Sequence, residues 1–158
     1  MTDPDMTDPD TTDAGIAHEV DQLLTRYVHA VDNAAWDELA AVFTPDAQLT
    51  GLRATADGLT AIVDYIAGTP ERPAHHCVNT ALTAGPRGSV HAWSRLITVA
   101  ADGAAACGDY TDLIVPTTDG LRIHRRRVRL RAPGETAPGT SEGADPAALF
   151  QRWERERG

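Results

Sequence analysis

Ile16, Val20, Leu23, Leu24, Tyr27, Val28 and Val31 recur at three- and four-residue steps, which predicts an amphipathic helix with one buried face. Asp32 follows at the edge of that stripe. Asn33-Ala34-Ala35 then break the pattern before a second short helical stretch marked by Trp36, Leu39, Ala40 and Phe43. Thr44-Pro45-Asp46 reads as a turn, and residues 47–51 as the start of a short strand. Leu59, Ile62, Val63 and Ile66 predict a third helix, stopped by Gly68 and Pro70. From residue 75 the character changes. Residues 75–82, 89–100, 105–115 and 121–130 are strand-length segments separated by Gly85-Pro86-Arg87-Gly88, Asp102-Gly103 and Asp119-Gly120. Asp-Gly is the strongest short hairpin signal, so the last three strands are expected to form a consecutive antiparallel meander. Helices followed by strands predict an α+β domain whose helices pack on one face of a curved sheet.

The flanks read differently. Residues 1–13 repeat a Thr-Asp-Pro-Asp unit and have nothing to repay the entropy of ordering, so a disordered acidic tail is expected there. Its Asp spacing lacks the glycine and terminal glutamate of a calcium loop. Asp13 or a neighbouring Thr is a candidate cap for the first helix. Residues 132–144 are rich in Pro, Gly, Ser and Thr and read as a linker. Asp145-Pro146 then opens a last short helix with Leu149, Phe150 and Trp153 as its apolar face. It has three readings: a lid, a docking element for a second subunit, or a frayed end. The expected organisation is a tail (1–13), one domain (14–131), and a linker with a C-terminal helix (132–158).

Length and charge narrow the function classes. A chain of 158 residues suits one domain with a real core. A net charge of −9 argues against a nucleic-acid partner. No apolar run approaches the roughly 20 residues that span a bilayer. The amino terminus lacks the basic start and apolar stretch of a signal peptide, so a cytoplasmic location is expected. Cys77 and Cys107 are read accordingly as reduced, half-buried small residues. Aromatic residues make up only 5% of the chain, so the few present should sit where volume or a ligand needs them.

Three sets of residues could carry chemistry. Asp32 is either a helix-end residue facing water or a functional carboxylate beside a buried stripe. In residues 74–79, strand alternation sends His75, Cys77 and Asn79 to one face and His76, Val78 and Thr80 to the other. His75 and His76 therefore point apart and cannot share a metal ion. In residues 124–131, alternation puts Arg125, Arg127, Arg129 and Arg131 on one face and His124, Arg126, Val128 and Leu130 on the other. An arginine amid apolar neighbours needs a carboxylate, a substrate anion or a developing oxyanion to answer it.

Tyr27-Val28-His29-Ala30-Val31-Asp32, Trp36-Asp37, Phe43, Asp46-Ala47, His75 with Asn79, Gly108-Asp109-Tyr110 and Asp119-Gly120-Leu121-Arg122-Ile123 together resemble the SnoaL-like branch of the nuclear transport factor 2-like superfamily. The resemblance covers residues 16–130. It implies a cone-shaped α+β barrel, with N-terminal helices packed on a curved, mostly antiparallel sheet enclosing one pocket, in a homodimer or homotrimer. The most similar pattern is that of scytalone dehydratase, bile acid dehydratase and hexachlorocyclohexane dehydrochlorinase. By this resemblance Asp32, His75, Tyr27 and Arg126 are the candidate catalytic residues. Trp36, Phe43, Asn79, Trp93, Tyr110 and His124 are candidate substrate-binding residues. The chain departs from some relatives in residues 89–100, where His91, Trp93 and Arg95 share one face and Ser94 takes the other; which face looks inward is open.

The expected activity is a cofactor-independent lyase or isomerase in which an Asp-His pair abstracts a proton from a small apolar organic substrate. The chain has no phosphate-binding glycine loop and no cysteine and histidine spacing suited to zinc. A polyketide or terpenoid cyclase is an alternative on the same fold. So is an epoxide hydrolase, in which Asp109 or Asp112 supplies a second acid. A reading of another class is a non-catalytic ligand-binding or assembly module.

Overall fold

The computed structural model describes residues 13–131 and 145–158. The tail expected over 1–13 (Asp13 apart) and the linker expected over 132–144 lie outside the described residues. The first helix, α1 (Ala14–Asp32), starts at Asp13, whose side chain accepts from the Gly15 N–H at 2.6 Å, a cap that satisfies one of the helix's free donors. It buries Val20, Leu23, Leu24, Tyr27, Ala30 and Val31, the stripe expected from the spacing. A short 3-10 helix (Trp36–Ala41) follows and buries Leu39.

The strands are β1 (Phe43–Thr50), β2 (Thr55–Asp57), β3 (Ala74–Ala84), β4 (Val90–Val99), β5 (Ala105–Thr117) and β6 (Gly120–Leu130). Helix α2 (Leu59–Ala67) lies between β2 and β3, and α3 (Pro146–Arg157) comes last. One six-stranded sheet has the order β2-β1-β6-β5-β4-β3. The expected β4-β5-β6 meander is present, and the β1–β6 pairing is parallel, which makes the sheet mixed. Helix α1 packs on β3 and β6, and α2 on β1. This is the α+β architecture expected.

Two local expectations need correction. Thr44-Pro45-Asp46 is not a turn: it lies inside β1, where the register against β6 shifts between Phe43 and Gln48. The bulge leaves Pro45 and Asp46 exposed, so the missing proline N–H interrupts no buried ladder. β2 is too short for a periodic signal and is held by its pairing to β1. Cys77 is half-buried, but Cys107 is exposed, since it stands near an outer end of the sheet; both are free.

Helix α3 settles against its own chain. Leu149, Phe150 and Trp153 cover Leu113 and Val115 on the sheet face opposite α1. The His91 ring stacks on Phe150 at 4.4 Å. Glu154 accepts from Ser89 Oγ, and its carboxylate lies 3.0 Å from His91 Nε2 and 3.2 Å from Arg87 Nη2. Among the described residues no helix is long and apolar enough to cross a membrane.

Burial alone would raise the Glu154 carboxyl, but hydrogen bonds from Ser89 and His91 and the charge of Arg157 hold it below its ordinary value of 4.5. A depressed carboxyl stabilises docking above that ordinary value and loses its contribution as pH falls through the lowered one. Helix α3 should therefore loosen in acid. Trp153 fluorescence, followed from neutral pH downward with Trp36 and Trp93 replaced by Phe, should report the release. Glu154→Gln should show weaker docking at neutral pH and little further change in acid.

Candidate active site

The last residue of α1, Asp32, meets the second residue of β3, His75, and the histidine lines a cavity. Asn33, rather than Asp32, closes the helix: its backbone N–H and its side chain both donate to His29 O. Asp32 is thereby free to reach across to β3. Its Oδ1 lies 2.7 Å from His75 Nδ1, and its Oδ2 accepts from the His75 backbone N–H at 3.0 Å. The carboxylate thus grips both the ring and the main chain of one residue. The histidine and aspartate side chains are 17% and 26% exposed. A carboxylate can only accept, so Nδ1 is the donor in this contact, and in the neutral ring the lone pair is on Nε2. Asp32 is an exposed residue at the helix end whose carboxylate is nonetheless engaged by His75.

The cavity has a volume of about 390 Å³. Val31, Leu49, Ile66, Leu96 and Val128 give it apolar walls, while Tyr27, His75, Thr98 and Tyr110 bring polar atoms to it. Trp36 and Tyr65 also line it, beside the exposed residues Leu52, Arg53, Glu71 and Arg72 that mark its mouth.

Behind Tyr27 and Tyr110 lies a buried ion pair. Arg126 donates from Nε and Nη2 to the two oxygens of Asp112, both at 2.7 Å, and neither side chain is exposed. The guanidinium carbon sits 4.0 Å from the Tyr27 ring centroid and 4.1 Å from that of Tyr110. The two rings meet edge to face at 5.8 Å. Arg126 Nη1 is buried with no hydrogen-bond partner among the described residues. Burial alone would pull the arginine down, but the attraction of Asp112 outweighs it and the guanidinium stays charged. Burial pushes the Tyr27 and Tyr110 phenols up, Tyr110 well above its ordinary value, so both stay protonated and able to donate.

The structure brings His75, Tyr27, Trp36 and Tyr110 to one cavity, with Asp32 bound to His75. It separates the others. Arg126 is on the inner face, as alternation indicated, but the tyrosine rings stand between it and the cavity and Asp112 answers its charge. Phe43 is buried behind Tyr27, 5.9 Å away edge to face, and does not line the cavity. Asn79 sits exposed at a bulge in β3, with φ of 52°. That bulge passes the inner face to Thr80, which shares a 2.9 Å hydrogen bond with the buried Ser94. Trp93 is on the outer face beside Arg95, so Ala92, Ser94 and Leu96 are the inward residues of β4. His124 falls at a register shift of β6 against β5. Its Nδ1 lies 3.1 Å from Thr44 Oγ1 and 3.5 Å from Asp46, away from the cavity.

Residues missed by the sequence reading include Tyr65, Arg53 and Arg72, which come from loops and from α2 and carry no periodic signal. Thr98 and Leu96 had one: they share the parity of Ser94. Of the two acids considered as a second carboxylate, Asp109 is on the outer face with Arg95 and Arg131, and Asp112 is wholly engaged by Arg126. Among the described residues no group of three His, Cys, Asp or Glu side chains could hold a metal.

Replacing one member of the buried pair strands the other charge. Arg126→Met should cost about 3–5 kcal/mol in urea-unfolding free energy. The double variant Arg126→Met/Asp112→Leu should recover most of that loss, because two apolar side chains replace two desolvated charges.

Comparison with known proteins follows the geometry. A family described as SnoaL-like domain matches residues 16–127. The chain is similar to a cystatin-like-fold protein of unknown function from Nostoc punctiforme PCC 73102, with a TM-score of 0.69 and 15% identity over 77% of this chain and 95% of that one. It is similar to ActVI-ORFA from Streptomyces coelicolor, with a TM-score of 0.63 and 24% identity over 74% and 98% of the two chains. A provisionally named scytalone dehydratase from Novosphingobium aromaticivorans DSM 12444 gives a TM-score of 0.63 and 21% identity over 73% and 84%. At these identities the likeness is one of fold. Among curated proteins none gives a significant match.

Proposed function

This chain belongs to the SnoaL-like domain family, and we propose that it is a cofactor-independent lyase or isomerase of the dehydratase type, with His75 as the base and residues 14–131 as the catalytic unit. The observation that carries this reading is the double grip of Asp32 on His75 at 2.7 and 3.0 Å, in a histidine that lines an apolar cavity. A base held in one tautomer and one orientation contributes about 10²–10⁴ in rate.

His75 Nε2 takes a proton from a carbon next to a substrate carbonyl, and the C–H electron pair moves into an enolate. Asp32 stabilises the imidazolium that forms. Tyr27 and Tyr110, held neutral by burial, donate to the carbonyl oxygen as charge develops there. Arg126 adds a fixed positive charge behind the two rings. It acts through them rather than on the substrate directly. If a hydroxyl stands β to the carbonyl, the enolate expels it, and the imidazolium returns its proton so that water leaves. Returned to another carbon instead, the same proton gives an isomer.

The test begins with a panel of apolar β-hydroxy ketones and thioesters, following the absorbance of the conjugated product. On whichever compound turns over, His75→Ala and Asp32→Asn should each lower kcat by about 10²–10⁴ while the melting temperature stays near that of the native chain. Folded variants that turn over as fast as the native protein would remove His75 as base. A cavity that binds these compounds without any turnover would favour the non-catalytic module.

A further inference from the structure

The mouth of the cavity carries two arginines, Arg53 and Arg72, that no carboxylate among the described residues pairs with. The chain as a whole has 23 acidic residues for 14 basic ones. Elsewhere, Arg87, Arg95, Arg126 and Arg131 each hold an aspartate or glutamate. The acid at this rim is Glu71, next to Arg72 and exposed. Asp32 does not line the cavity and is paired with His75.

Each rim arginine is also held in place. The Arg53 guanidinium lies over the Tyr65 ring at 4.8 Å and donates from Nη2 to Tyr65 O at 3.1 Å and Thr69 Oγ1 at 2.8 Å. Its backbone N–H donates to Tyr65 Oη at 3.3 Å. Tyr65 can sit this close because residue 51 is glycine: a Cβ there would collide with the tyrosine hydroxyl. Arg72 lies over the Trp36 ring at 5.2 Å. Both rings line the same cavity, so each arginine spends its face on an aromatic and keeps N–H groups at its edge.

We infer that the substrate of this cavity is an amphiphilic anion: an apolar body fills the walls, and a carboxylate, phosphate or sulfonate end is held at the mouth between Arg53 and Arg72. This rests on the cavity's being the functional site proposed above, and it names the chemical class the site selects. A neutral ligand of the same shape would partly dehydrate two guanidiniums without replacing their water contacts, which is unfavourable. An anionic end replaces those contacts with charge-assisted hydrogen bonds.

Two fluorescent probes with one aromatic body separate these cases: 8-anilinonaphthalene-1-sulfonate carries an anionic end, and N-phenyl-1-naphthylamine does not. The native chain should bind the sulfonate at one site, tighter than the neutral probe by about tenfold at low salt, with the preference shrinking as salt rises. Arg53→Gln and Arg72→Gln should each erode the preference and the double variant should abolish it, with N-phenyl-1-naphthylamine affinity unchanged. Equal affinity for the two probes in the native chain overturns the inference. So do variants that weaken both probes alike, which would make the arginines structural. Erosion of the preference by Arg127→Gln instead would put the anion on the outer face of the sheet, and also overturns it. His75→Ala should keep the preference, so its turnover reports on the base and the probes report on the charge selection.

Discussion

A guanidinium with no access to water organises the interior of this protein. Arg126 and Asp112 are direct cross-strand partners on β6 and β5, and their bidentate pairing at 2.7 Å leaves neither strand free to slip. A slip of either strand by one residue would send its charge to the other face and leave the partner buried and unpaired, which is strongly unfavourable. The pair in turn needs cover. Tyr27 from α1 and Tyr110 from β5 supply it with their ring faces. The helix is thus set against the sheet at Tyr27, and Asp32, a little more than one turn farther on, arrives at the start of β3.

The Asp32–His75 contact is a consequence of that placement as well as a chemical device. It ties the end of α1 to the first residues of an edge strand, where β3 has a sheet neighbour on one side. By accepting from the backbone N–H of His75 as well as contacting its ring, Asp32 satisfies a donor that the edge would leave to water. The same atoms that hold the strand hold the base. Farther along β3 the bulge at Asn79 changes which residues look inward, and it brings Thr80 to the buried Ser94.

Charge is distributed against the chain's overall sign. The acidic excess belongs to the sequence as a whole, yet the outer face of β6 presents Arg125, Arg127 and Arg129, and the cavity mouth presents Arg53 and Arg72. On the outer face, repulsion is eased by Asp109, which accepts from Arg95 and Arg131, and by the acidic side chains of α3. Burial, with the nearby charges of Arg129 and Arg152, lowers Arg127 below the usual arginine value. Net charge therefore says little about what a particular surface of this protein attracts.

Periodicity alone determined the helices and the meander. An apolar stripe at helical spacing and Asp-Gly between strand-length runs reflect burial and turn geometry, which are local to a few residues and legible without a fold. Asp32 and His75 stood out locally only as a carboxylate at the end of a buried stripe and one of two histidines on an alternating strand; the resemblance to the SnoaL-like family made them candidate catalytic residues. The rest of the site was decided by tertiary structure. Alternation counts residues, and it fails wherever a bulge adds one, as at Asn79, at His124 and within Thr44-Pro45-Asp46. Whether Arg126 faces the cavity or lies sealed behind two rings depends on where Tyr27 comes to rest, some hundred residues away in the chain. Arg53 and Arg72 belong to irregular segments with no period to read. Their meeting at one opening follows from the packing of α2 against β1 and from the absence of a side chain at Gly51, which lets Tyr65 close on the backbone.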